Sequence, residues 1–225
     1  KAELRPYQTS GLAWLSHLHE LKMGAVLADD MGLGKTVQTL AHLHRAHLGA
    51  TDGVPSLIIA PTSVVSNWRA DAERFVPSMR LHVHQGKSRA LTKRELDKAD
   101  VVITSYPILQ RDEATFAKTN WNVVVFDEAQ TLKNPRAKTY QAAQAIAARQ
   151  RLALTGTPME NHLGELWALF NVMSPGLLSD LETFNRHFRH RIEQNSDNDR
   201  MNVLRSRVRP FLLRRTRDDV LKELP

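Results

Sequence analysis

The residues best suited to chemistry are Gly34, Lys35 and Thr36, at the end of the stretch VLADDMGLGKTVQTL (26–40). They match the end of the phosphate-binding pattern G-x-x-x-x-G-K-[ST], although that pattern requires glycine at position 29, where this chain has Asp29. In such a loop, backbone N–H groups at a helix N-terminus bind phosphate oxygens, the lysine reaches the β- and γ-phosphates, and the hydroxyl coordinates Mg²⁺. We therefore predict that Thr36 is a metal ligand and that a nucleotide is bound by Asp30, Met31, Gly32, Leu33, Gly34, Lys35 and Thr36.

A pair of carboxylates, Asp127 and Glu128, follows four consecutive apolar residues, 123–126. Asp127 is suited to hold Mg²⁺, and Glu128 is suited to accept a proton from an attacking water molecule. The alternative is that the pair only caps the N-terminus of the next helix, as acidic residues often do. Because the phosphate loop requires an acidic partner, we predict that Asp127 is a metal ligand and that the catalytic residues are Lys35, Asp127 and Glu128.

A sheet must position these residues, and five short apolar runs predict its strands. The runs lack polar alternation, which is typical of strands covered on both faces, and they lie at 24–28, 56–60, 100–104, 122–126 and 151–155. Helical patterns lie between them, notably at 35–47, 64–75 and 137–148. Strands that alternate with helices predict an α/β fold with a central, mostly parallel sheet flanked by helices. Ligands of such sheets bind beyond the carboxyl ends of the strands, where the candidate residues lie.

The pattern changes from Leu163 onward. A helical stripe covers 165–173, Pro175 and Gly176 interrupt it, and no further buried strand is evident. We therefore predict two regions, an α/β body at 1–162 and a C-terminal helical extension at 163–225.

Composition limits the classes of protein to consider. A hydrophobic content of 42% and a charged content of 24% are typical of a folded globular protein. The sequence has no cysteine, which excludes disulfides and cysteine-ligated zinc. No apolar run approaches the ~18 residues that a membrane span needs, so we expect no membrane partner. The net charge of +7 is compatible with a polyanionic partner.

The motifs together resemble helicase superfamily two, and within it the SWI/SNF-like DNA translocases and chromatin-remodelling ATPases. The resemblance is carried, in the family's order, by LRPYQTSGLAWL (4–15), the phosphate loop, LIIAPTSVVSNW (57–68), VVITSYPIL (101–109), DEAQTLKNP (127–135), LTGTPMEN (154–161) and FLLRRTRDDVLKELP (211–225). It implies a RecA-like lobe in which an acidic residue at position 29 is usual. We expect Asp29 to bond its own backbone in the turn after the strand, with its carboxylate directed away from the phosphates.

The resemblance also implies roles for further residues. Gln8 would read the adenine edge of the nucleotide. The nucleic-acid backbone would be contacted by Pro61, Thr62, Ser63, Thr104 and Ser105. Gln130 stands where the family usually has histidine, so coupling through it would lack the pH dependence of a histidine. Nucleotide hydrolysis would be coupled to nucleic acid through Gln130, Thr155, Gly156, Thr157 and Pro158.

As a function, the resemblance implies the ATP-binding lobe of an ATP-dependent translocase on double-stranded DNA, a hydrolase that uses ATP and Mg²⁺. A second RecA-like lobe of the same polypeptide would supply arginine fingers, so we expect the first lobe alone, as a monomer, to bind ATP weakly and hydrolyse it very slowly. Two alternatives remain open: an RNA-directed helicase lobe of the same superfamily, and a degenerate lobe that serves only as a binding module. The protein would be cytoplasmic in a bacterium and nuclear in a eukaryote.

Overall fold

The computed structural model describes residues 3–86, 89, 91–157 and 162–221, and its centre is a seven-stranded sheet. The strands, numbered β1 to β7 in chain order, are Ala25–Leu27, Ser56–Ala60, Leu81–Val83, Val101–Ser105, Asn120–Phe126, Ala147–Leu154 and Leu212–Leu213. They lie in the order β3-β4-β2-β5-β6-β1-β7, and each pair of neighbours is parallel. The predicted α/β fold with a parallel sheet is therefore confirmed.

Helices connect the strands and cover both faces of the sheet. The α-helices, numbered α1 to α12, are Pro6–Glu20, Lys35–Leu48, Val65–Phe75, Lys93–Lys98, Tyr106–Arg111, Glu113–Lys118, Lys138–Ala145, Leu163–Met173, Leu181–Phe184, His190–Asn195, Asn198–Val208 and Arg217–Leu221. Short 3₁₀ segments lie at Thr62–Val64, Ala129–Leu132 and Arg209–Phe211, and one π-helical turn lies at Asn185–Arg189. Within the described part of the chain, no helix is long and apolar enough to cross a membrane.

Alternate side chains of β5 enter two separate apolar clusters. Val123 and Val125 pack on the side of α1, α2 and α3, whereas Val124 and Phe126 pack on the side of α5 to α8. All four are fully buried, which explains why the sequence of the strand is continuously apolar. Because β1 and β5 both pair in parallel with β6, their carboxyl ends lie at the same edge of the sheet. The residues that follow these two strands are thereby brought together.

Two strands were not predicted from the sequence, and both lie at the edges of the sheet. Among the residues that the structure describes, β3 pairs only with β4, β7 pairs only with β1, and the residues of both are half-buried. An incompletely covered strand does not need a continuous apolar run, so these segments gave little signal. The sequence shows no buried strand after Leu163, and the structure adds a short, half-buried one there, because Leu212 and Leu213 extend the sheet beside β1. The division at 162/163 stays a prediction, but the region beyond it is not purely helical.

Candidate nucleotide-binding site

The phosphate loop connects the end of β1 to the start of α2, as the sequence predicted. Gly32 and Gly34 have positive φ angles of 89° and 77°, a region that side chains other than glycine rarely adopt. A Cβ atom at Gly34 would also lie 2.6 Å from Nε2 of Gln8 and 3.0 Å from Cγ1 of Val37. Conformation and space therefore both require glycine at position 34, directly before the first residue of α2.

Lys35 is held at the loop by the loop's own backbone. Its Nζ donates hydrogen bonds to the carbonyl oxygen of Asp29 at 2.6 Å and to that of Asp30 at 3.4 Å. Gly34 is the N-cap of α2 and Lys35 is its first residue, so backbone N–H groups with no helical partner and an ammonium group are concentrated at one point. Such an arrangement is suited to bind a phosphate anion.

Asp127 lies at the carboxyl end of β5, with its environment set by three neighbouring groups. Burial raises the pKa of Asp127 above its ordinary value, and the charge of Glu128 acts in the same direction. The indole N–H of Trp68 donates to Oδ2 of Asp127 at 2.7 Å. This bond and the charge of Lys35 both act to lower the pKa of Asp127, but the effect of burial is larger. The Trp68 bond also fixes the carboxylate. The bond spans 59 residues of the chain, and no local pattern around Trp68 predicts it.

Glu128 has an unusual backbone conformation for a residue with a side chain. Its φ and ψ angles are 49° and 53°, in the left-handed region, and its N–H donates to Oδ1 of Asp127 at 3.0 Å. Such a conformation costs on the order of 1 kcal/mol for a non-glycine residue, and it persists only where surrounding contacts enforce it. The side chain of Glu128 is exposed, so its carboxylate can be reached from solvent.

One cleft of about 460 Å³ brings the two predicted motifs together. Its lining includes Lys35 and Thr36 from the start of α2, and Asp127 and Glu128 from the end of β5. The remaining lining residues come from the loop, from α2 and from the region of α3: Met31, Gly32, Gly34, Val37, Val64, Asn67, Trp68, Asp71 and Phe75. Thr36 and Asp127 supply a hydroxyl and a carboxylate, the oxygen ligands that Mg²⁺ prefers in proteins.

Gln130 links the acidic residues to the loop after β6. Its Nε2 donates to Oε2 of Glu128 at 2.6 Å, while its Oε1 accepts from the hydroxyl of Thr155 at 3.0 Å. The Thr155 hydroxyl in turn accepts from the backbone N–H of Thr157 at 3.1 Å. These are the contacts that the predicted coupling requires, although the coupling itself remains a prediction. Gly156 lies between the two threonines, and Pro158 lies outside the described residues.

Gln8 contributes to the same region from α1. Its Oε1 accepts from the backbone N–H of Arg5 at 3.0 Å, and its Nε2 lies 3.4 Å from the carbonyl oxygen of Leu33. The amide therefore connects the start of α1 to the phosphate loop. Its predicted contact with adenine stays a prediction.

The chain is similar to known proteins over nearly its whole length. A family model described as the SNF2-related domain matches residues 7–225. The chain belongs to the SNF2-related family. This confirms the resemblance to SWI/SNF-like ATPases.

The solved structure of the Sulfolobus solfataricus SWI2/SNF2 ATPase core in complex with dsDNA is similar to this SNF2-related chain, with a TM-score of 0.91 and 39% identity. The match covers 100% of this chain and 47% of that one. Among curated proteins, YwqA of Bacillus subtilis (strain 168) is 41% identical over 97% of this chain and 24% of its own length. The ISWI chromatin-remodeling complex ATPase ISW1 of Saccharomyces cerevisiae is 37% identical over 97% of this chain and 20% of its own length. The chain thus spans a quarter or less of these curated relatives.

The structure divides the predicted nucleic-acid contacts of this SNF2-related chain into two groups. Thr62 and Ser63 are exposed beyond the end of β2, and Pro61 beside them is half-buried. Thr104 and Ser105 are buried, with exposed fractions of 0% and 1%, and the Thr104 hydroxyl donates to the carbonyl oxygen of His84 at 3.0 Å. Thr104 and Ser105 are the last two residues of β4, so their predicted contact with nucleic acid, like that of Pro61, Thr62 and Ser63, stays a prediction.

The expectation for Asp29 is wrong in one respect. Its side chain does not bond its own backbone but binds Arg215, 186 residues further along the chain, and Gln38 on α2. The SNF2-related phosphate loop thus has a buried carboxylate where the general pattern has glycine, and that carboxylate serves a contact with the C-terminal region.

Proposed function

We propose that this chain is the ATP-binding lobe of an ATP-dependent translocase that acts on double-stranded DNA. The observation that carries the proposal is the cleft in which Lys35 and Thr36 face Asp127 and Glu128. Family membership supports ATP as the substrate, because relatives are named as ATPases. The similar Sulfolobus solfataricus core was solved with dsDNA, which supports duplex DNA as the track.

In the proposed mechanism, the phosphate loop and Lys35 bind the β- and γ-phosphates of the substrate. Thr36 and Asp127 would hold Mg²⁺, which neutralises charge on the phosphate oxygens when bound. Trp68 orients the Asp127 carboxylate, and Lys35 adds positive charge beside it. The catalytic power of this arrangement comes from positioning and electrostatics rather than from covalent chemistry.

Glu128 is the group that orients the attacking water and accepts its proton. Its backbone is in the left-handed region, and it lines the same cleft as Asp127. Gln130 holds one oxygen of Glu128 and is itself held by Thr155. A movement of the Glu128 side chain during hydrolysis would therefore alter the hydrogen bonds of the segment 155–157.

We further propose that a second RecA-like lobe completes the cleft and supplies arginine side chains to the transition state. This chain covers 47% of the Sulfolobus solfataricus core, in agreement with one lobe of two. Arginine fingers contribute about 10³ to 10⁵ in rate in related phosphoryl-transfer enzymes, so the lobe alone should hydrolyse ATP very slowly.

Equilibrium binding of a fluorescent ADP analogue to the 225-residue chain, with Mg²⁺ present, tests the nucleotide site directly. Lys35→Ala should weaken binding at least about tenfold, since an ammonium group in contact with phosphate is lost. Lys98→Ala removes a lysine from α4, outside the cleft lining, and should leave the affinity unchanged. Failure of the native chain to bind, or equal binding by Lys35→Ala, would overturn the proposal.

A further inference from the structure

The segment 212–217 forms an extended contact with the first half of the phosphate loop. The backbone N–H of Ala28 donates to the carbonyl oxygen of Leu213 at 2.7 Å, and that of Asp30 donates to Arg215 at 3.0 Å. These bonds continue the parallel pairing of β7 with β1 past the end of the strand. The loop backbone therefore has an external partner on the side of β7.

Arg217 adds contacts to the next residues of the loop, Asp30 and Met31. Its backbone N–H donates to the carboxylate of Asp30 at 3.2 Å, and its guanidinium donates to the carbonyl oxygen of Met31 at 3.0 and 3.2 Å. Positions 28, 30 and 31 of the loop are consequently all bonded to the segment 212–217.

Arg215 is the centre of this contact because it uses both its backbone and its side chain. Its backbone N–H and its Nε donate to Oδ1 of Asp29 at 3.1 and 3.0 Å, and a terminal nitrogen of the guanidinium bonds Oδ2. The carboxylate of Asp29 has no exposed surface, and only 15% of the Arg215 side chain is exposed. A two-pronged guanidinium–carboxylate pair of this kind fixes orientation as well as distance, which a lysine in the same place would not do.

The surrounding residues pack closely around the guanidinium of Arg215. The guanidinium also donates to the side-chain oxygen of Gln38 at 2.7 Å and to the carbonyl oxygen of Tyr7, whose ring lies 5.2 Å from it. A Cβ atom at Gly11 would lie 2.2 Å from the same Gln38 oxygen and 3.0 Å from the guanidinium. Helices α1 and α2, the loop and the segment 212–217 thus meet at one buried ion pair.

We propose that Arg215 is a positioning residue that sets the conformation of the phosphate loop through Asp29. The inference rests on the proposed nucleotide site and deepens it, because it makes the loop and the segment 212–217 one coupled unit. A movement of that segment would loosen the loop, and nucleotide binding would in turn order the segment, since such coupling is reciprocal. The ion pair with Arg215 then explains why position 29 is an aspartate, which phosphate binding alone does not explain.

Four variants separate this role from general stabilisation: Arg215→Ala, Arg215→Lys, Asp29→Asn and the double variant Asp29→Asn/Arg215→Ala. Arg214→Ala is the matched control, because it removes the same charge from the neighbouring, exposed position. Circular dichroism and thermal unfolding establish that each variant is folded. The Arg215→Lys variant keeps the charge and the bulk, so it remains informative even if Arg215→Ala does not fold.

The first readout is hydrogen exchange of the loop peptide 28–36 without nucleotide. We expect faster exchange in Arg215→Ala and in Asp29→Asn than in Arg214→Ala. The exchange rate of Arg215→Lys should lie between those of Arg215→Ala and Arg214→Ala. Unchanged loop exchange in the folded variants would overturn the positioning role. This readout decides the inference even if the native chain proves not to bind nucleotide, an outcome that would contradict only the proposed function.

The second readout is the affinity for the fluorescent ADP analogue and, in the full-length protein, the separation of KM from kcat. Arg215→Ala should raise Kd and KM about tenfold, a change of about 1.4 kcal/mol in binding, with kcat within about threefold of the native value. The double variant should bind no worse than either single variant, because partners in one contact are not additive. Native affinity in a folded but less stable Arg215→Ala protein would reduce Arg215 to a structural role and contradict the proposal.

Discussion

At the scale of single residues, Trp68 is a supporting group for the predicted metal site. Its indole N–H is a hydrogen-bond donor to Oδ2 of Asp127, which burial otherwise makes harder to ionise. Trp68→Phe would keep most of the buried ring and remove that donor, so the pKa of Asp127 should rise further and its orientation should loosen. Loss of such supporting contacts typically costs about 10- to 100-fold in metal affinity.

We therefore predict that Trp68→Phe raises the Mg²⁺ concentration for half-maximal ATP hydrolysis by about tenfold in the full-length protein. Trp14→Phe is the control, because it removes an indole N–H that donates to the carbonyl oxygen of Pro210 instead. An equal shift in both variants, or none in Trp68→Phe, would refute the assignment.

Thr155 is the second residue whose role can be isolated. Thr155→Val preserves shape but removes the hydroxyl that joins Gln130 to the backbone of Thr157. We predict that kcat falls about tenfold, corresponding to roughly 1.4 kcal/mol of transition-state stabilisation, while the Kd for ADP changes less than about twofold. Thr119→Val, which removes a hydroxyl bonded to the carbonyl oxygen of Thr115 in α6, should leave both constants unchanged. A native kcat in Thr155→Val would show that this link does not transmit hydrolysis.

At the scale of elements, His42 ties α2 to β6 and α1. Its Nε2 lies 2.6 Å from Oε1 of Gln150, whose Nε2 donates to the carbonyl oxygen of Leu15. Because Gln150 uses its NH₂ group for Leu15, its oxygen is the acceptor and the His42 ring donates. Burial lowers the pKa of His42 from 6.5 to about 4, so the ring is neutral at pH 7.

The pH dependence of stability follows from this shift. Between pH 6.5 and about 4 the unfolded state binds a proton at His42 that the folded state does not, so stability falls as the pH falls. We predict that lowering the pH from 7 to 5 removes about 2 kcal/mol of unfolding free energy through this group. His42→Gln should lose that share of the pH dependence in urea unfolding, whereas His44→Gln on the same helix should retain it. An unaltered pH dependence in His42→Gln would contradict the explanation.

The strands show which elements a sequence can reveal. β2 was predicted with its bounds, and β1, β4, β5 and β6 were predicted with ends shifted by one or more residues, because burial on both faces produces continuous apolar runs. Within the described residues, β3 and β7 each pair with one strand and are half-buried, so His82 can stand inside one of them and arginines can follow the other. Their existence depends on the neighbouring strand rather than on local pattern.

At the scale of the whole molecule, local motifs were predictable and long-range contacts were not. The phosphate loop and the pair Asp127–Glu128 each lie within a few residues of a strand end, so spacing alone indicated them. The bond between Trp68 and Asp127 spans 59 residues, and the ion pair between Asp29 and Arg215 spans 186. Only the folded chain brings these groups together, and both contacts support residues that the sequence had already marked.

We propose that this lobe belongs to a motor that ATP drives along duplex DNA, and steady-state ATP hydrolysis by the full-length protein is the decisive experiment. Duplex DNA, single-stranded DNA and RNA are added in turn, with Glu128→Gln as the inactive control. We predict strong stimulation by duplex DNA that Glu128→Gln abolishes, because the proton acceptor is lost while the cleft is preserved. Stimulation by RNA alone, or by none of the three, would contradict a motor that acts on duplex DNA.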